Sequence, residues 1–402
     1  MNRLLEGTCR AGGVPSNFES LSHTIGDAAI SSGNPERLKA WWLYRCLYSP
    51  RPLEERLTLM WHNHFATSNS KVLDLTLMKQ QNETLRRYGL SPFGELLGAM
   101  SHDPALLEWL DAPTNHAGRP NENFAREMME LFTLGVGNYT ERDVSETARA
   151  FTGWTVRDSV FRVNDDHHDR EEKTILGHTG NWSGDDVIGF LLQRPDCARR
   201  IAWRLTNEFC GEHVVSQAAL MELADGLREH NLDIRWGVQT ILRSELFFSD
   251  ANIQSRVTDP VSYLLIPLRA LECWNSPPAT YLLAEWLDKL GQKLFLPPNV
   301  AGWKGGRDWL STRTIIARAN YATALANGKL SNPACPLKTP ASLMAVAGED
   351  EQFRRLGQML AGEVSADVIS RSLQKSSVAR DSNERLRMFV QDVMIQPNSQ
   401  LH

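Results

Sequence analysis

Pro120-Asn121-Glu122-Asn123-Phe124-Ala125-Arg126-Glu127-Met128-Met129-Glu130-Leu131-Phe132-Thr133-Leu134-Gly135 predicts a helix. Its apolar stripe runs through Phe124, Met128 and Leu131, and it ends at Gly135 in a left-handed cap. Asn123, Glu127 and Glu130 fall at i, i+4, i+7 and form a second face of one amide and two carboxylates. Arg126 is the local cation. Like charges stacked on one stripe oppose folding, so this face calls for partners: arginines, histidines or a metal ion.

The same helical punctuation recurs along the chain. Asn34-Pro35, Ser91-Pro92, Asp103-Pro104 and Asp259-Pro260 each set a capping side chain before a proline at the first helical position. Thr140-Glu141-Arg142-Asp143 and Ser183-Gly184-Asp185-Asp186 are capping boxes closed by aspartate. They predict helices from residue 35 onward, including 71–88, 121–134 and 309–326. Strand character is confined to 155–163, with 173–176 as a possible partner. The predicted class is mainly α, a multi-helical bundle of two closely packed lobes with a small β-hairpin insertion near 155–176. The expected organisation is a partly irregular extension over 1–33 and one domain over 34–402, divided into a lobe 34–154, an insertion 155–183 and a lobe 184–402.

Composition narrows the classes. Of 402 residues, 42% are hydrophobic and 23% charged, the balance of a globular chain with a sizeable core. A net charge of −5 supplies no basic stripe for nucleic acid. No apolar run reaches the length of a membrane span. Met1–Gly7 lacks the apolar centre of a signal peptide, so no export address is expected from this start. The six cysteines, at 9, 46, 197, 210, 273 and 335, form no CxxC pair and predict reduced, mostly buried thiols.

No phosphate-binding glycine loop, GxSxG elbow, HExxH or EF-hand pattern is present. Three polar clusters and one loop remain. Trp61-His62-Asn63-His64-Phe65 ends the helix that carries Glu54, Glu55 and Arg56. In a continuous helix His62 and His64 point about 200° apart, so one ion engages both only where the helix ends. The second cluster joins Glu127 and Glu130 to Tyr139, Glu146 and Arg149, and a network neutralised by Arg126, Arg142 and Arg149 explains it without chemistry. The third is Asp165-Asp166-His167-His168-Asp169, read alone as solvated charge. Combined, His62, His64, Glu127, His168 and Asp169 make a mixed nitrogen–oxygen set suited to a divalent transition metal, Zn, Mn or Fe. The loop Phe295–Leu310, with Trp303 and Trp309, is either a rim that stacks a ring-shaped ligand or a plug between lobes.

Taken in order, these motifs, with Ala148–Trp154, His168-Asp169 and Lys173, and the closing Met388–Pro397, resemble the bacterial domain-of-unknown-function 1800 family from about Ala40 to the C-terminus. The resemblance implies envelope or extracellular work and a sulfatase-like partner encoded nearby. It also implies a longer N-terminal helical region than the one here.

The leading expectation is a metal-dependent hydrolase acting on an envelope polymer such as a polysaccharide. In it Glu127 and Glu130 act in catalysis, Arg126 and Arg149 orient an anionic group, and Asn123, Trp154, Trp303 and Trp309 contact substrate. Two alternatives stand beside it: a non-catalytic scaffold or export partner, and a metal-free glycoside-cleaving enzyme with two carboxylates about 5–10 Å apart.

Overall fold

In the computed structural model, residues 14–273, 277–331, 337–362 and 366–401 are described. The described residues begin with α1 (Phe18–Ser31), α2 (Pro35–Tyr48), α3 (Pro52–His64), α4 (Asn69–Val72), α5 (Leu75–Tyr88), α6 (Phe93–Ser101) and α7 (Pro104–Trp109). Helix α8 (Asn123–Glu127) continues as a π-helix over Met128–Leu134 and is followed by α9 (Glu141–Ala150). After the β insertion come α10 (Gly184–Gln193), α11 (Pro195–Phe209), α12 (Gln217–Glu229) and α13 (Ile234–Arg243). The chain closes with α14 (Pro260–Ala270), α15 (Thr280–Leu290), α16 (Thr312–Ala326), α17 (Glu349–Ala361), α18 (Ala366–Ser376) and α19 (Ser382–Met394).

Local sequence sets most of these boundaries. Asn34, Asp103 and Asp259 accept the N–H groups of Glu36, Leu106 and Ser262, each just before a first-position proline. Both aspartate capping boxes are closed. Ser91-Pro92 behaves differently: α6 starts at Phe93 with no side-chain cap, and the Phe93 N–H instead donates to the Leu232 carbonyl at 2.9 Å. The helix expected over 71–88 breaks at Leu73, whose φ of 56° stops α4 before Asp74 caps α5. Within the stretch expected to be partly irregular, α1 is helical and is tied to α2 by Trp41 Nε1 donating to the Ser22 carbonyl at 2.9 Å.

The insertion holds two hairpins. Strand β1 (Trp154–Arg157) pairs antiparallel with β2 (Val160–Val163), and β3 (Lys173–Ile175) with β4 (His178–Gly180). Residues 173–176 therefore find a partner downstream rather than joining the first hairpin. Each turn has two central residues at positive φ, Asp158-Ser159 and Leu176-Gly177, which match the twist of the strands they join.

Two hydrophobic cores result. One gathers α1 and α2 with the late helices α14 to α19; the other lies among α6 to α13. Their membership does not follow chain order, because the earliest helices complete the core of the latest ones. Helix α3 serves both, with Leu59 in the first core and Leu57, Met60 and Trp61 in the second. At this junction Glu55, 3% exposed, receives Arg45 Nε at 3.0 Å and Arg86 Nε at 2.8 Å, joining α2, α3 and α5. The two guanidinium groups outweigh burial and hold its carboxyl below the usual range.

Among the described residues Cys46, Cys197 and Cys210 form no disulfide. Cys9 and Cys335 lie outside the described residues. No helix among the described residues is long and apolar enough to cross a membrane.

Candidate functional site

The π-helix changes the acidic face. Its wider turn re-aims Glu130 relative to Glu127 and leaves carbonyls near its C-terminal end needing outside donors. Thr133 Oγ1 bonds the Met128 carbonyl five residues back at 2.7 Å. Three other side chains serve the end: Arg200 Nε reaches the Leu131 carbonyl at 3.1 Å, His64 Nε2 the Phe132 carbonyl at 3.1 Å, and Asn138 Nδ2 the Leu134 carbonyl at 2.9 Å. Glu130 accepts from the Tyr139 hydroxyl at 2.5 Å. Burial and the neighbouring Glu130 raise the pKa of half-buried Glu127. Asn123 does structural work, its Nδ2 donating to the Leu110 carbonyl at 3.2 Å.

The two arginines expected to orient an anion are already engaged. Arg126 pairs with Glu122 at 3.1 Å and Glu141 at 2.7 Å. Arg149 binds Asp169 through Nε at 2.8 Å and Glu146 at 2.9 Å, far from the role of partner to Glu127.

The predicted metal set does not assemble. His64 spends its Nε2 proton on Phe132, and burial together with Arg204 and Arg200 pushes its pKa well down, an environment hostile to a cation. His62 is 1% exposed, lies within 5.2–5.8 Å of the Trp42, Phe295 and Trp303 rings, and is driven by burial to a pKa of about 3. His168 Nδ1 bonds the Thr152 carbonyl at 2.9 Å, and Arg149 holds the Asp169 carboxylate. Among the described residues no three His, Cys, Asp or Glu side chains stand together as a metal site. Trp154, 3% exposed, is core, packed on Phe124, Phe151 and Phe161.

What the Trp61–Phe65 motif does build is a junction. Trp61 Nε1 donates to the Gly89 carbonyl, and Phe65 packs on Phe132. Asn63 grips the Trp303 backbone from both sides: its Oδ1 accepts the N–H at 2.6 Å and its Nδ2 donates to the carbonyl at 3.1 Å. Gly302, at φ 77°, lies so close that a Cβ would collide with Asn63. Trp303 and Trp309 are 7% and 8% exposed, so they plug the junction rather than offer a stacking platform.

Beside this plug lies a polar cleft between α3, α11 and the 303–309 loop. Its walls carry four cations, Arg56, Arg204, Arg256 and Lys304, against three carboxylates, Glu208, Glu212 and Asp259. Arg56 pairs with Glu208 and, at 2.6 Å, with Asp259; Arg256 stands 3.6 Å from Glu208. Arg204 differs. Its Nη2 donates to the Met60 carbonyl at 2.9 Å, but its buried Nε has no partner and it pairs with no carboxylate among the described residues. Burial lowers its pKa to about 10; Glu208 opposes that shift and Arg200 and Arg256 add to it.

Sequence reasoning missed this set, although its signal was present. Arg200, Arg204 and Glu208 recur at i, i+4, i+8 on α11, one polar stripe on a helix otherwise buried through Ile201, Ala202 and Leu205.

Comparison with curated proteins and with solved structures returns no match. Residues 19–401 match the family described as "Protein of unknown function (DUF1800)", starting inside α1 and taking in every element of both cores. The chain belongs to that family.

Proposed function

We propose that this protein binds an anionic ligand in the cleft between its two cores, and that the ligand's carboxylate, phosphate or sulfate completes Arg204. The observation that carries this reading is the buried Arg204 Nε without an acceptor, in a cleft whose walls hold four cations and three carboxylates. A buried donor without an acceptor is destabilising, and an anion arriving there gains charge-assisted hydrogen bonds. Arg56 and Arg256 need no ligand to be held in place, since Glu208 and Asp259 fix them. They make a preorganised wall beside Arg204. Metal-dependent hydrolysis is not part of this reading, because His64, His168 and Asp169 are held by Phe132, Thr152 and Arg149.

Thermal unfolding in sulfate, phosphate and acetate against chloride at matched ionic strength tests it. Millimolar divalent oxyanion should raise Tm by several degrees. Equal Tm in all four salts contradicts the reading.

Glu127 supports a second reading, metal-free acid–base chemistry. Burial and Glu130 raise the Glu127 pKa, which makes Glu127 the candidate acid, and the neighbouring Glu130 accepts from the Tyr139 hydroxyl. A panel of chromogenic glycosides tests it: turnover lost in Glu127→Gln supports it, and no turnover by the unaltered protein removes it.

A further inference from the structure

Helix α11 carries a polar stripe that leaves the cleft and crosses the molecular surface. Arg200, Trp203, Arg204 and Asn207 fall at i, i+3, i+4 and i+7, on one face of the helix over about 10 Å. Arg204 and Asn207 line the cleft. At the other end Arg200 Nε holds the Leu131 carbonyl at 3.1 Å, next to Glu130, whose charge opposes the burial that lowers the Arg200 pKa. The stripe therefore leads from the Glu127–Glu130 pair into the cleft. Both arginines spend a donor on a backbone carbonyl, and neither forms an ion pair with a carboxylate among the described residues. Between them Trp203 is 41% exposed, with the Arg200 guanidinium 4.8 Å from its ring centroid.

We infer that the ligand of this cleft is an acidic oligosaccharide, with one sugar ring stacked on Trp203 and its carboxylate or sulfate groups on Arg200 and Arg204. This rests on the anion-binding reading of the cleft. Two guanidinium-bearing positions about 6 Å apart along the helix axis, on either side of an exposed ring, suit anions repeated along a chain better than a lone ion. The apolar face of a pyranose packs on an indole, while its hydroxyls need polar partners. Asn207, exposed one turn beyond Trp203, offers them an amide donor and acceptor. A nucleic acid strand fits less well. The net charge is −5, and among the described residues α11 presents a single exposed ring where successive bases call for several.

Calorimetric titration of the full chain with trigalacturonate, a sulfated trisaccharide, maltotriose, inorganic sulfate and oligothymidylate tests the inference. At least one acidic trisaccharide should bind about tenfold or more tighter than sulfate and maltotriose, and the tighter of the two identifies the acid group. Trp203→Ala, at a solvent-exposed position, should weaken that binding at least fivefold and leave sulfate unchanged. Acidic sugars no tighter than sulfate, or unmoved by Trp203→Ala, overturn the saccharide and leave the anion cleft standing. Oligothymidylate bound tighter than both acidic sugars overturns it too. Maltotriose equal to the acidic sugars, with no sulfate binding, overturns the anion cleft and the acidic assignment together.

Discussion

His64 Nε2 donates to the Phe132 carbonyl at 3.1 Å, joining the last residue of α3 to the end of the π-helix. The bond explains why motifs whose bonded residues lie 68 apart in sequence belong to one device. A π-helix leaves its final carbonyls without intrahelical partners, and in a buried setting each must find a donor. Neighbouring Arg200 does the same for Leu131. The histidine proposed as a metal ligand is thus a cap, and its tautomer is set by a carbonyl.

Replacing His64 with Leu should therefore cost about 1–3 kcal/mol, the penalty for a buried acceptor left alone. His64→Gln, whose terminal amide can still donate, should recover at least half of that. Urea denaturation of the two variants measures the difference; equal losses would mean that packing, not the hydrogen bond, is what matters.

Acid should weaken the fold from the histidine range downward. His62 and His64 are held neutral with pKa values depressed below 6.5, the first to about 3. The unfolded chain then takes up protons near pH 6.5 that the folded chain refuses, so stability falls as pH drops below that value. Asp103 works in the opposite sense: burial raises it to about 6, so the folded state gains a proton there first. Two histidines against one aspartate leave a net loss of about 2 kcal/mol between pH 7.5 and 5.5. In His62→Phe the loss should shrink below about 1 kcal/mol, and a flat profile in the unaltered protein would contradict the assignment.

The 303–309 loop should depend on Asn63 more than on its own composition. Gly302→Ala meets both a φ of 77° and a collision with Asn63, whereas Gly137→Ala, at φ 87°, meets open space. The two share the backbone strain and differ in the collision, so Gly302→Ala should be the more destabilising by about 1–3 kcal/mol. Asn63→Ala removes both bonds to Trp303 and should cost about 2 kcal/mol, with a red shift in tryptophan emission as the plug loosens. Equal stability of the two glycine variants would show the loop is free to move.

Much of this architecture was legible in local sequence. The Thr140–Asp143 and Ser183–Asp186 boxes, and Asn34, Asp103 and Asp259 before prolines, marked helix starts because capping chemistry is local. Ser91-Pro92 misled because its start is set by the Leu232 carbonyl, a long-range contact. The π-turn was invisible for the same reason: its carbonyls are satisfied from α3 and α11, and an α-helical period of i, i+4, i+7 gave no sign of it. For the site, the motifs located the junction but not the charges beside it. His62, His64, Arg126 and Arg149 drew attention as residue types, yet their partners are Trp303, Phe132, Glu141 and Asp169. Arg204 lay in an unremarkable amphipathic helix, and what marks it is an unpartnered buried Nε at the wall of a polar cleft, which only geometry reveals.

Calorimetric titration of sulfate into the unaltered protein, Arg204→Met and Arg126→Gln tests the central claim most directly. Loss of one charge-assisted contact is worth about 1.5–3 kcal/mol, so Arg204→Met should bind at least tenfold more weakly. Without sulfate it should be as stable as the parent or more so, since a buried donor without an acceptor has gone. Arg126→Gln, already tied to Glu122 and Glu141, should bind sulfate as the parent does. Sulfate binding that survives Arg204→Met and disappears in Arg126→Gln would contradict the account.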